Sequence, residues 1–505
     1  MDVGGEVAGV TSNAPGAISR RQRLWVGLVT AVVWLGGSAV VALAQPTHDR
    51  RLAAVGAAAA GIAVILVLSG LSADTERGHL RALVGSTIAV SLTAEWLLWH
   101  LHASASGFVI DGLVKRIVLP LLIVLPAPLV ARRLWERRAA LSRGPRGMDW
   151  IVGAYATVVL LPALAVGLVD HNRLLYIAQD LGLIVFFAFT YLAGRSVTAA
   201  AARASGAEFV DALLLLAAAK WILFGWEIFP IYSYAEAACA GAIAVLLLRP
   251  RAARLLPIGL AVVLLALDVV QVRQGSNSST ALEFAGAIAV LAYVLARIRP
   301  ALPRWLLVAA AVGAVVVVVG FTADGAAIRG QYHGPDPSNA GRTYEARRVR
   351  ATVRRSPVSL VLGRGLGGTI NETHAPPVFK RTLIYGGRDL AHVQEVHLLV
   401  YAFLLKAGFL GIVWLAAFVL GLAAVVVRGL ERAARTRDPS LVLYVALPLL
   451  GAAQAFGAAS RLQADPLNGL ALGILVSCLA APLAERARGQ APALLRRDAW
   501  ASAEP

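Results

Sequence analysis

This chain is poor in cysteine and in charge. It holds two cysteines in 505 residues, Cys239 and Cys478, each inside an apolar block. Two thiols are too few for a disulfide framework or a cysteine-based metal site, and they read as small residues of an apolar core. Only 15% of the residues are charged, against roughly a quarter in soluble domains. There is no Walker A pattern, which argues against ATP-driven transport by this chain. Nor do two halves of the sequence resemble each other, which disfavours a secondary transporter built from a repeat. A cleavable signal peptide is not evident. The first 23 residues are rich in Gly, Ala and Ser, and Arg20, Arg21 and Arg23 then precede an apolar block. That block reads as a first span held by positive charge at its cytoplasmic end.

What the chain has in abundance is apolar sequence: 58% of residues, with a mean hydropathy of +0.71. Runs of about 20 apolar residues cannot all be hidden in a soluble domain of this length. Helical spans are expected near 24–44, 52–72, 82–101, 116–131, 150–169, 174–194, 208–228, 234–248, 255–271, 280–296, 305–322, 397–427, 440–460 and 467–485. Continuous runs indicate helices, since barrel strands would alternate over about 10 residues. The twelfth run is long enough to be a surface helix followed by a span. The expected fold is an all-α polytopic transmembrane bundle of about 12–14 spans, with one large, partly helical extracytoplasmic loop.

Net charge is +18, and basic proteins often bind nucleic acid. Here most arginines lie in short connections between apolar blocks, where the positive-inside rule accounts for them, so no nucleic-acid partner is expected. The connections 132–146, 195–203, 249–254, 297–304 and 428–437 are Arg-rich, while 170–173, 229–233, 272–279 and 461–466 are poorer in positive charge. This gives a multi-pass protein of the cytoplasmic (inner) membrane, N-in and C-in. Residues 1–23 form a cytoplasmic tail, 24–322 about eleven spans, 323–396 the extracytoplasmic loop, 397–485 about three spans, and 486–505 a polar cytoplasmic tail.

The long polar interruption, Phe321 to Glu395, carries eleven Lys/Arg and six Asp/Glu. Charge is kept from lipid unless it has a task, so function is sought here. Gly334 to Asn339 reads as turn. Arg342 to Pro357 reads as an amphipathic helix closed by Pro357, with Tyr344, Ala346, Val349, Ala351 and Val353 on a loose apolar side. Its arginines (Arg347, Arg348, Arg350, Arg354 and Arg355) suit either anionic headgroups at a membrane surface or bidentate capture of phosphate oxygens. Gly363, Gly365, Gly367 and Gly368 suit either a tight loop or an anion cradle of backbone N–H groups. His397 begins the next apolar block, two residues after Glu395. It is either a satisfied interfacial residue or a base at the membrane–water boundary. Lys406, inside that block, is expected to snorkel or pair.

An Arg-rich helix ending in Pro, a Gly-x-Gly-x-Gly loop, and a His-initiated helix running Val396-His397-Leu-Leu-Val-Tyr to Lys406-Ala-Gly408-Phe-Leu-Gly411 occur in that order. Together they resemble the O-antigen ligase and polymerase family over about 342–420. Leu398 stands where that family usually has Asn. The family's Ser-Arg has only an approximate counterpart in Arg273. The resemblance implies metal-independent transfer of a glycan from a polyprenyl-pyrophosphate carrier to an acceptor hydroxyl on a glycan, lipid or protein, with no cofactor, outside the membrane. It further implies His397 as base, Arg342, Arg347 and Arg273 as pyrophosphate ligands, and Gly363, Gly365 and Gly367 as shapers of the loop. The alternative from another class is a lipid-linked glycan transporter or flippase without chemistry. It would use charged groups within the spans, from among Glu95, Asp180, Asp211, Lys220, Glu227, Asp268 and Glu283. A transferase using a polyprenyl-monophosphate sugar would place acids in the first outer loop, where only Asp49 is present.

Overall fold

The computed structural model describes residues 77–81, 83–84, 127–141, 147–224, 234–273, 278–298, 337–374, 391–394, 396–457 and 467–480. The expected spans 24–44, 52–72 and 305–322 lie outside these residues, as do nearly all of 82–101 and the acids Asp49, Glu95, Glu227 and Glu395. The described chain is almost wholly helical. Its one extended pairing is an isolated antiparallel bridge, Ile370 with Val393.

In chain order the helices are α1 (Ala127–Glu136), α2 (Arg138–Leu141), α3 (Gly147–Val169), α4 (Leu174–Arg195), α5 (Ala199–Phe224), α6 (Tyr234–Leu248), α7 (Leu255–Arg273), α8 (Ser278–Ile298), α9 (Pro337–Val353), α10 (Pro357–Leu362), α11 (Leu399–Thr436), α12 (Pro439–Gly457) and α13 (Leu467–Ala480). Three of them, α3, α4 and α11, are long and apolar enough to cross a membrane. Many large apolar side chains face outward, among them Leu161, Val169, Leu174, Val262, Phe409 and Leu420. Water-soluble surfaces rarely carry so much exposed apolar area, whereas a lipid-facing surface does.

The centre of the bundle is α12, packed against α6, α8 and α11. Leu441 to Leu447 are buried on every side, as a helix apolar all round must be. Opposite it, α6 offers Ala237, Ala238, Ala240, Gly241, Ala242 and Ala244. Small side chains let helix axes approach closely and gain dispersion contact without polar cost. Within α3, residues Tyr155–Leu160 form a π turn immediately before Pro162, which has no N–H to give the ladder. Leu161 N–H reaches back to Ala156 O instead.

Side-chain bonds sort the connections into two ends. At one end the Arg-rich stretches meet each other. Arg137 donates to Arg195 O, Arg195 pairs with Asp149, Arg249 donates to Arg437 O, Arg203 pairs with Asp438, Arg297 pairs with Glu431 and Arg432 donates to Cys478 O. At the other end Asn172 and Arg173 meet residues 364–366 and His392. Successive helices alternate between these ends. The Arg-rich connections thus meet at one end of the described bundle.

Three boundaries differ from expectation. The turn expected over Gly334–Asn339 is helical from Pro337, because proline at a first helical position sacrifices no hydrogen bond. The Arg-rich helix ends at Val353, not at Pro357. Pro357 instead opens α10, with Ser356 as N-cap accepting from Ser359 N–H. The run expected as span 397–427 extends to Thr436 and breaks at Gly408, whose φ of 62° and ψ of −150° are not helical. The kink divides this run into a short helical segment before Gly408 and a long one after it.

Candidate functional site

The site grows from one face of α9. Thr343, Glu345, Ala346, Val349 and Val353 are buried, Tyr344 is half-buried and Ala351 is exposed. The inward face is therefore narrower than the apolar side read from sequence, and it includes a carboxylate. It packs on Ile370, Val393, Val396, Leu398, Tyr401 and Leu405. Leu398, the departure from the family's Asn, is 2% exposed and serves this core.

Packing of α9 against the start of α11 sets Glu345 beside His397. The His397 ring Nδ1 lies 2.7 Å from Glu345 Oε1 and 3.0 Å from Oε2, and the His397 backbone N–H donates to Oε2 at 3.1 Å. A carboxylate is an acceptor only, so Nδ1 carries the hydrogen. In the neutral ring the basic lone pair is then on Nε2. The Glu345 side chain is 3% exposed and the His397 side chain 38%. A buried carboxylate thus orients an accessible imidazole, the arrangement that prepares a histidine to take a proton. Glu345 was not singled out by sequence reasoning. Its trace there was a lone acid among arginines, one residue before Ala346 on the apolar face.

The arginines of α9 divide by position. Arg342 lies one turn before Glu345 on the same side and is half-buried, whereas Arg347 is exposed on a different face of the helix. The structure therefore brings Arg342, but not Arg347, to the side of the Glu345–His397 pair. Arg348 donates to Asn371 O at 2.9 Å. Arg350 donates to the hydroxyl of Tyr401 and stands over its ring at 5.1 Å. Arg354 and Arg355 are exposed. Arg273 ends α7, and the alternation of helices puts it at the His397 end of the bundle.

The glycine loop has a different task from cradling an anion. Five of its N–H groups are spent within the protein: Gly363 on Ser359 O, Arg364 on Leu405 O, Leu366 on Ala163 O, Gly368 on Gly365 O and Gly367 on Asp180 Oδ2 at 2.6 Å. Asn172 Nδ2 donates to Arg364 O and Leu366 O, each at 2.8 Å. The loop is a wedge between the ends of α3, α4 and the kink of α11. A side chain at Gly365 would place its Cβ 2.1 Å from Gly167 N.

A second polar cluster anchors that wedge. Lys406 Nζ lies 2.8 Å from Asp180 Oδ2 and donates to Gly368 O at 2.7 Å. Gln394 Nε2 donates to Asp180 Oδ1 and to Tyr176 O, each at 2.9 Å. Lys406 therefore pairs rather than snorkels. Of the other charged residues considered within spans, Asp211 pairs with Arg254 at the Arg-rich end, and Glu283 is fully buried.

The Asp180–Lys406 pair is mostly buried, at 15% and 16% exposed, so removing one partner strands the other. Lys406→Met is expected to cost about 3 kcal/mol of stability. The double variant Asp180→Asn/Lys406→Met should cost clearly less than the sum of the single changes. Thermal unfolding of the four proteins in detergent measures this, and additive losses would show that the pair is not coupled.

No metal-binding cluster of His, Cys, Asp and Glu occurs among the described residues. No family model, curated protein or solved structure matches the chain.

Proposed function

We propose that this protein is a polytopic membrane glycosyltransferase. In this reading it moves a glycan from a polyprenyl-pyrophosphate carrier to an acceptor hydroxyl, as a surface-polysaccharide ligase or polymerase of the cell envelope. The observation that carries the reading is the Glu345–His397 pair, held where the polar segment meets an apolar helix. Residues 323–396 lie on the outer face of the cytoplasmic membrane, and the Arg-rich connections lie inside, in accord with the positive-inside rule. The order of motifs over 342–420, which resembles O-antigen ligases and polymerases, supports the same assignment.

The acceptor oxygen attacks the anomeric carbon of the donor sugar. The bond from that carbon to the pyrophosphate breaks, and its electron pair remains on the leaving oxygen. His397 Nε2 takes the hydroxyl proton, while Glu345 stabilises the imidazolium that forms. Arg342 stabilises the charge developing on the pyrophosphate, and Arg273, the last residue of α7, is assigned the same task. Arg347, on another face of α9, is the least suited of the three arginines to join them. The glycines of 363–367 act indirectly, by fixing the wedge on which α9 and α11 meet.

The test is incubation of purified protein with polyprenyl-pyrophosphate oligosaccharides and an acceptor glycan, following release of free carrier pyrophosphate. Wild type is expected to release carrier, and His397→Ala to release none although it inserts into the membrane like wild type. Full release by His397→Ala would remove the histidine from the chemistry. Failure of every donor, together with movement of lipid-linked glycan across vesicles, would turn the assignment to a transporter. Arg342→Lys is expected to lose most of the activity, because a point charge cannot replace a bidentate fork.

A further inference from the structure

The Arg-rich end of the bundle holds a second polar site, far from His397 along the helices. A cavity of about 140 Å³ opens among α5, α6, the start of α7 and the start of α12, lined by Arg203, Arg249, Arg254, Asp211 and Ser440. The three lining arginines meet two carboxylates: Arg203 pairs with Asp438 and Arg254 with Asp211. Arg249 spends Nε on Arg437 O, and its two terminal nitrogens make no hydrogen bond among the described residues. Positive charge is thus in excess around the cavity, and Arg254 and Arg203 remain 59% and 37% exposed.

Directly beside Arg254, Leu255 and Leu256 are 90% and 79% exposed, and Val262 and Val263 continue the exposed apolar surface along α7. A cationic cleft with an apolar strip leading from it matches a molecule with an anionic head and hydrocarbon chains. We propose that this cavity binds the phosphodiester headgroup of an anionic phospholipid, with the acyl chains lying on α7. Fork-shaped guanidiniums suit phosphate oxygens. Basic pockets between helices on the cytoplasmic side are suited to such headgroups. A soluble phosphate would meet the same guanidiniums but would make no use of Leu255 and Leu256. The site needs the chain to lie in a membrane and does not depend on the glycan-transfer reading.

Full-length protein purified in detergent is titrated with phosphatidylglycerol, phosphatidylcholine or inorganic phosphate. Bound lipid is read by native mass spectrometry, and thermal unfolding is followed in parallel. Wild type is expected to retain phosphatidylglycerol in preference to phosphatidylcholine and to be stabilised by it. Arg249→Gln/Arg254→Gln should bind phosphatidylglycerol about tenfold or more weakly, while Arg249→Lys/Arg254→Lys keeps part of the preference. Equal retention of the two lipids by wild type overturns the site, even if the glutamine variant fails to fold. Undiminished phosphatidylglycerol binding by a folded glutamine variant overturns it as well. Protection by inorganic phosphate equal to that by phosphatidylglycerol overturns the lipid assignment in favour of a soluble anion.

Discussion

With the proposed glycan transfer as the activity, Glu345→Gln is expected to slow it by roughly 10³-fold and to leave donor KM near the wild-type value. The size follows from what the carboxylate does. It is acceptor-only, so it holds the hydrogen on Nδ1 of His397 and keeps the lone pair on Nε2. The glutamine amide can donate to Nδ1, which favours the opposite tautomer and removes the charge that stabilises the imidazolium. General-base assistance is worth about 10² to 10⁴ in rate, so the loss should approach that of His397→Ala. Because the two residues act as a unit, Glu345→Gln added to His397→Ala should cost little further. Carrier release by the four proteins, with separate kcat and KM, checks this. Wild-type kcat in Glu345→Gln, or multiplicative losses in the double variant, would show that the pair is not a catalytic unit.

The helices were legible because their signal is local. α6 was read at 234–248 and found as Tyr234–Leu248, since a continuous apolar run bounded by Arg249-Pro250 leaves little choice. Side-chain partnerships were not legible, because they bridge long separations. Glu345 and His397 are 52 residues apart, and Gln394 and Asp180 are 214 apart. Neither periodicity nor composition couples such positions. The glycines were seen, but their count could not separate an anion cradle from a wedge. That distinction rests on where each N–H goes, and the carbonyls of Leu405 and Ala163 belong to other helices. The inward face of α9 was blurred because its acid was grouped with the arginines and not with Ala346, Val349 and Val353. A carboxylate on a helix's apolar face must find a partner, and that rule points to Glu345.

Gly408→Ala is expected to be among the most damaging single methyl groups around α9 and α11. Gly408 has φ 62° and ψ −150°, and Gly363, packed against it, has φ 73° and ψ −158°. Both lie in a region open almost only to glycine, at a cost of about 1–3 kcal/mol for another residue. The added Cβ would also stand 2.5 Å from Gly363 N and 2.5 Å from Val361 O, both backbone atoms with no rotamer to yield. Overpacking of this kind costs about 1–3 kcal/mol more, so a total near 4 kcal/mol is expected. The damage should be directional. If Gly408 relaxes into helical geometry to escape the strain, α11 straightens and residues 399–407, which carry Tyr401 and Lys406, swing away from α9 and Asp180. Residues beyond the kink keep their packing on α3 and α12. Limited proteolysis should then open the 337–398 segment well before the bundle unfolds, and carrier release should fall with it. A Gly408→Ala protein with wild-type protease resistance and wild-type thermal unfolding would show that the kink is not what holds the wedge, α9 and His397 together.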